Sequence, residues 1–202
     1  MNLKDVNILD KKRFEAFFDA IFAIVMTFLV LEFKVPRIED SNDEMLKDAF
    51  FEMLPLFICY LLSFFTIMVI WLDHHHMFKY INKVTRPYAV LNFVFLLPVT
   101  AIPFATGMAG EYLDSKFAMT FFLLDIFIMN IFFSLLFFHP IKNGQVDAEN
   151  MPFFNYGATV AKIGLVLGLL SIFAVQIHPL LGCALSFLVL VLHTSKIYFK
   201  VK

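Results

Sequence analysis

The sequence predicts an all-α, polytopic membrane protein with six transmembrane helices, and three observations carry that prediction. Of its 202 residues, 60% are hydrophobic and the mean hydropathy is +0.80, whereas soluble domains are about 45–50% apolar. The apolar residues gather into six runs, each long enough to cross roughly 30 Å of hydrocarbon. Twenty-eight Phe stand against one Trp and six Tyr, which gives bulky packing and lipid-facing surface with few interfacial anchors. The expected partner is therefore the lipid bilayer. A net charge of −1 provides no basic surface, so no nucleic-acid partner is expected. Cys59 and Cys183 fall inside apolar runs and read as small membrane-embedded hydrophobes rather than a disulfide.

Taken in order, residues 1–13 are polar and lack the apolar stretch and small-residue cleavage site of a signal peptide. The first span, 14–35, would rise about 33 Å as a helix before Pro36 stops it. The loop 37–48 is hydrophilic, with Glu39, Asp40, Asp43, Glu44 and Asp48 against Arg37 and Lys47. A second span is expected over 50–72, with Pro55 tolerated near its start. Asp73, His74, His75, His76, Lys79, Lys83 and Arg86 then read as a polar, basic connection. The third span, 88–109, holds Pro98 and Pro103 and should kink. A fourth span, 117–138, closes at His139-Pro140. The fifth and sixth, 153–177 and 180–199, are separated only by His178-Pro179, which predicts a tight antiparallel hairpin. No composition shift or repeat divides the chain, so one domain over 1–202 is expected.

Loop charge sets the expected orientation. One side carries eleven basic residues: Lys4, Lys11, Lys12, Arg13, Lys79, Lys83, Arg86, Lys142, Lys196, Lys200 and Lys202. The other carries four, Lys34, Arg37, Lys47 and Lys116, and Lys162 lies within a span. Both termini should therefore be cytoplasmic.

Ionisable groups at the centre of a bilayer cost about 2.5–3.5 kcal/mol by insertion scales, so each one in a span needs a reason. Asp19 sits about one and a half turns inside the first span and, six residues from Arg13, cannot face it well. It either accepts a hydrogen bond from a histidine or the Trp71 indole, which lie at the same depth, or reaches the headgroup boundary unpaired. Three consecutive histidines, His74–His76, would point about 100° apart on a helix and cannot converge on one ion, so no metal site is expected. Asp125 and Lys162 lie at similar depths, either as a buried pair or with Lys162 snorkelling to the interface. In the first span, Ile24, Phe28, Leu31 and Val35 recur at i, i+4, i+7 and i+11, forming one stripe with Thr27 on its flank. No GxSxG, Walker glycine loop or HExxH is present, so neither an enzyme nor a cofactor is expected. A voltage-sensing arginine helix and a carbonyl selectivity filter are also missing.

Arg13-x3-Phe17-Phe18-Asp19, then Ala23-Ile24-x2-Thr27 and Pro36, resembles the first-helix signature of the transmembrane protein 175 family of potassium channels, in its single-repeat bacterial form. Trp71-x2-His74-His75 and Asn92…Pro103-Phe104-x-Thr106…Gly110-Glu111-Tyr112 also resemble that family, so the likeness covers three regions of the first 112 residues. It implies a homotetrameric, non-enzymatic, potassium-selective channel of the plasma membrane, with the first helix of each subunit lining the pore. It further implies that Ile24 forms the narrowest apolar ring, Thr27 a hydroxyl layer, and Phe28 and Leu31 further apolar layers, past which potassium ions permeate. Arg13, Asp19, Trp71 and His74 or His75 map to the network bracing the pore helix. Phe18 departs from the pattern, which has serine there. The competing functions are a secondary transporter with Asp125 and Lys162 as an ion or proton relay, a membrane enzyme using the histidines, and an assembly factor.

Overall fold

In hydrocarbon every backbone N–H and C=O must find its partner within the protein, and a long helix meets that demand by itself. The computed structural model describes residues 8–37 and 42–199 and is built almost wholly of helices. They are α1 (Lys11–Phe28), continued by a 3-10 turn (Leu29–Glu32), α2 (Asp43–Glu52), α3 (Leu54–Tyr80), α4 (Arg86–Glu111), α5 (Lys116–Lys142), α6 (Met151–Val175) and α7 (Pro179–Phe199). Two short strands, β1 (Ile8–Leu9) and β2 (Val84–Thr85), pair antiparallel. Lys4, Glu39, Asp40, Lys200 and Lys202 lie outside the described residues, as does the side chain of Lys196.

Among the described residues, five helices are long and apolar enough to cross a membrane: Lys11–Glu32, α3, α4, α5 and α6. The apolar stretch of α7, Pro179–Thr194, is shorter. The boundaries differ from the sequence expectation in three places. The first helix starts three residues earlier, because the Asp10 side chain accepts from the Arg13 backbone N–H at 3.1 Å and caps it. It ends at Glu32 rather than running to Pro36. Part of the expected hydrophilic loop is the amphipathic helix α2, capped by Asn42, and the chain breaks at Met53. Pro55 then sits in the first turn of α3, where a missing N–H costs nothing. The expected polar connection after residue 72 is itself mostly helix: α3 runs on through all three histidines to Tyr80. Polarity misled there because Asp73 and His74 are buried against other helices rather than exposed in a loop. Helix α4 continues through Pro98 and Pro103.

Short connections make α4, α5, α6 and α7 successive neighbours, α3 packs on α4, and α7 folds back against α3 and α5. Helix α1 packs chiefly on α3 and α4. Its buried row, Phe14, Phe18, Phe22, Val25 and Leu29, recurs every three to four residues and faces that pair. Only 28% of its apolar window is buried, against 56% for α4.

One end of the bundle is tied by backbone and polar contacts. Lys11 Nζ donates to the Ile81 carbonyl at 2.9 Å. Helix α5 ends in a Schellman turn: Gly144 adopts φ 61°, its N–H reaches Ile141 O, and the Gln145 N–H reaches Pro140 O. That turn presents the Gln145 amide to Thr85 Oγ1 at 2.9 Å. Midway along α3 and α4, the buried Thr106 hydroxyl donates to Ile102 O, so the Ser63 hydroxyl donates to Thr106 Oγ1, at 2.6 Å.

Near the opposite end, α3 and α4 approach so closely that a methyl group on Gly110 would overlap the backbone and side chain of Leu56. Gly110→Ala should therefore lower stability by about 1–3 kcal/mol through overpacking, measured as a lower unfolding midpoint in detergent micelles.

Candidate functional site

The buried aromatic row of α1 fixes which side of that helix is left bare. Opposite Phe14, Phe18 and Phe22 stand Arg13, Ala16, Phe17, Ala20, Ala23, Ile24, Thr27, Phe28 and Leu31, all exposed in the protomer. Ile24, Phe28 and Leu31 are 46%, 52% and 68% exposed, so the stripe read from their spacing faces away from the protomer. Val35 lies beyond the helix in extended chain, outside that stripe as a helical feature. The Thr27 hydroxyl donates to its own Ile24 carbonyl at 2.7 Å, which leaves the oxygen's acceptor capacity turned outward. Ala16, Ala20 and Ala23 run along the same face.

Behind this face lies a polar cluster. The Trp71 indole Nε1–H donates to Asp19 Oδ1 at 2.9 Å, joining α3 to α1. The buried His74 ring lies 3.0 Å from Asn92 Oδ1 through its Nε2, and the Asn92 amide donates to Tyr88 O at 2.8 Å. The His74 ring also packs on Phe18 at 5.3 Å in a stacked arrangement, on Phe22 at 5.5 Å and on Phe78 at 4.6 Å. Phe18 is fully buried, so an aromatic contact with His74 stands where the resembled pattern would place a hydroxyl. His75 is exposed and lies beside Trp71, with ring centroids 5.8 Å apart. His76 turns to Leu72 O and Phe153. The three histidines thus face three directions, as the 100° step of a helix requires. Arg13 is not brought to Asp19; it stays on the exposed face beside Phe17 and Phe93, lining a surface hollow.

Asp125 and Lys162 do not meet. Lys162 is exposed and extends to the Phe138 ring, 5.3 Å from its centroid, while Asp125 lies thirteen residues earlier on α5, about 20 Å along the helix. Asp125 Oδ2 is buried without a hydrogen-bond partner. A relay that needs the two in contact is therefore not assembled in the protomer. A different intramembrane pair is present: His193 Nδ1 lies 3.1 Å from Asp73 Oδ2, with both residues buried. Each residue was readable as an ionisable group beside or within an apolar run. What was not readable is that helices 120 residues apart in sequence bring them together.

Residues 13–103 match the family model described as endosomal/lysosomal potassium channel TMEM175. A potassium channel of Streptomyces collinus is 39% identical over 101 residues, which is 50% of this chain and 48% of that protein. The endosomal/lysosomal proton channel TMEM175 of Gallus gallus is 32% identical over 114 residues, 54% of this chain and 23% of that protein. The matched stretch thus spans about half the length of the bacterial relative and about a quarter of the vertebrate one. Among solved structures, the lysosomal potassium-selective channel TMEM175 homolog from Chamaesiphon minutus superposes with a TM-score of 0.82 at 26% identity, covering 93% of this chain and 98% of that one. Residues 13–103, a little under half of this chain, thus resemble the TMEM175 family, and the fold is shared over nearly the whole length with a TMEM175 homolog.

Proposed function

We propose that this protein is a potassium-selective, non-enzymatic channel in which the exposed face of α1 lines a pore shared by four copies of the chain. The observation that carries the reading is a membrane-length helix packed on one side only, whose bare side alternates small and bulky apolar residues around a threonine. Ala16, Ala20 and Ala23 would let neighbouring copies of α1 approach closely, while Ile24, Phe28 and Leu31 project between them. The relatives named as potassium channels support the same reading.

In this arrangement Ile24 forms the narrowest ring, and an apolar ring of that kind closes by excluding water. Selectivity then rests on pore radius and on the cost of removing water from the ion, which is lower for potassium than for sodium. Thr27, whose proton is committed to the Ile24 carbonyl, offers an oxygen that replaces part of the lost hydration. Phe28 and Leu31 form the wider apolar layers beyond. Trp71 bonded to Asp19 sets the rotation of α1, and His74 wedged between Phe18 and Asn92 supports it. Exposed Asp43, Glu44, Asp48 and Glu52 on α2 would raise cation concentration at the mouth of the pore. Six helices would span the plasma membrane, with α7 as the sixth and both termini cytoplasmic, within one domain.

Purified protein in liposomes should pass potassium and exclude large organic cations, and single particles should show a fourfold axis through α1. Equal fluxes of both cations, or α1 facing lipid at the rim, would overturn the reading. Ile24→Asn should wet the ring and raise single-channel potassium conductance severalfold, whereas unchanged currents would remove Ile24 from the lining. Trp71→Phe leaves Asp19 without its donor and should cost about 1–3 kcal/mol, read as a lower unfolding midpoint together with altered channel opening.

A further inference from the structure

Where α1 runs out, its last turn is clasped on two sides. The 3-10 turn Leu29–Glu32 buries Leu29 completely and leaves Val30 and Leu31 53% and 68% exposed. Phe33, the next residue, sets its ring edge-on to Tyr60 of α3, with centroids 5.3 Å apart. Glu32 lies instead on α4, against Gly107. A methyl group on Gly107 would overlap the Glu32 carboxylate and stand 2.9 Å from its Cδ. The missing side chain of Gly107 is thus a cradle in α4 for this one carboxylate. Glu32 is half-buried and forms no ion pair or hydrogen bond with another described residue. Lys34, two residues on, is exposed and does not bridge to it. Between Asp19 and the end of the turn, Glu32 is the only charged residue.

We propose that Glu32 sets the potassium conductance at this mouth of the pore, and that Gly107 is the positioning residue that holds it there; this rests on the channel reading above. The carboxylate stands one residue past Leu31, the last apolar layer in that reading. A fixed negative charge at a channel mouth raises the local concentration of cations. A helix with its side chains is about 10 Å across, so a charge on the flank of α1 acts on a passing ion over roughly that distance. The screening length is about 10 Å at 0.1 M salt and about 3 Å at 1 M. Coulomb's law in water then gives, for four carboxylates, about a two- to threefold enrichment of potassium at 0.1 M and almost none at 1 M. The effect of the charge is therefore separable from any effect of shape, because only the first fades with salt.

The test compares the full-length parent with Glu32→Gln and Gly107→Ala, by single-channel conductance in symmetric KCl at about 0.1 M and about 1 M and by unfolding midpoint in micelles. Glu32→Gln keeps the shape and removes the charge. It should lower conductance about two- to threefold at the lower salt, more for current entering at this mouth, and match the parent at the higher salt. Gly107→Ala keeps the charge and moves it. At Gly110 a methyl meets the backbone of Leu56, but at Gly107 it meets the far end of a flexible side chain. Gly107→Ala should therefore leave the midpoint near the parent's while shifting conductance at the lower salt alone. If Glu32→Gln fails to fold, Gly107→Ala decides. Parental conductance at the lower salt would overturn the proposal, as would a change of equal size at both salts, which marks a purely structural role. A parent that passes no potassium would overturn the channel reading and this assignment with it, whereas potassium current that these variants leave unaltered would overturn this assignment alone.

Discussion

The hydrogen bond from Trp71 to Asp19 is the contact on which the arrangement of α1 depends. That helix is held by one face only. Its aromatic row, Phe14, Phe18 and Phe22, is driven against α3 and α4 by removal of apolar surface from other surroundings, a force with little directional preference. Rings alone would allow α1 to roll by tens of degrees while staying buried. A 2.9 Å bond between an indole and a carboxylate does not permit that, because a charge-assisted hydrogen bond weakens steeply with distance and angle. Which side chains lie on the bare face, Ile24 and Thr27 among them, therefore follows from one polar contact as much as from the apolar pattern.

Helix α3 occupies the centre of this scheme because it touches α1, α4 and α7 through polar side chains. Each of those contacts is satisfied within the protein, as the absence of water in hydrocarbon demands. Asn92 illustrates the economy: its oxygen faces His74 and its amide reaches Tyr88 O. Around these bonds the aromatic packing is dense, with His74 alone in ring contact with Phe18, Phe22, Phe78 and Phe95. Phe18 adds bulk and stacking where a serine would have added a bond. The cluster at this position is thus more apolar and more dependent on shape than the pattern it resembles.

Polar groups outside that cluster divide between anchoring and isolation. The end bearing the start of α1 is closed by the β1–β2 pairing, the Lys11 contact with Ile81 and the Gly144 turn, which join segments distant in sequence around buried Ile81, Val84 and Val146. Asp125, by contrast, stays partly buried in α5 with one oxygen unmatched, and Lys162 has left it for the ring of Phe138. The resemblance of residues 13–103 to the TMEM175 family and the location of Asp125 are consistent with a scaffold whose polar chemistry is concentrated on α1 and α3.

Composition and hydropathy were enough to read a helical membrane protein, and helical periodicity was enough to find the exposed stripe of α1 at Ile24, Phe28 and Leu31, because both depend on short-range regularities that lipid enforces strongly. The resemblance in Arg13 to Asp19 and Trp71 to His75 likewise needed only local residues. Helix ends were less legible: the break at Met53 and the run of α3 through its histidines depend on whether polar side chains find buried partners, and those partners lie on other helices. The fate of Asp125 and Lys162 was open for the same reason, since depth along an axis says nothing about rotation around it. Only the tertiary structure decided that Trp71 rather than a histidine meets Asp19, and that His193, 120 residues away, meets Asp73. Such pairings are set by how whole helices rotate and dock, a choice made jointly by every contact in the bundle rather than by any stretch of the chain alone.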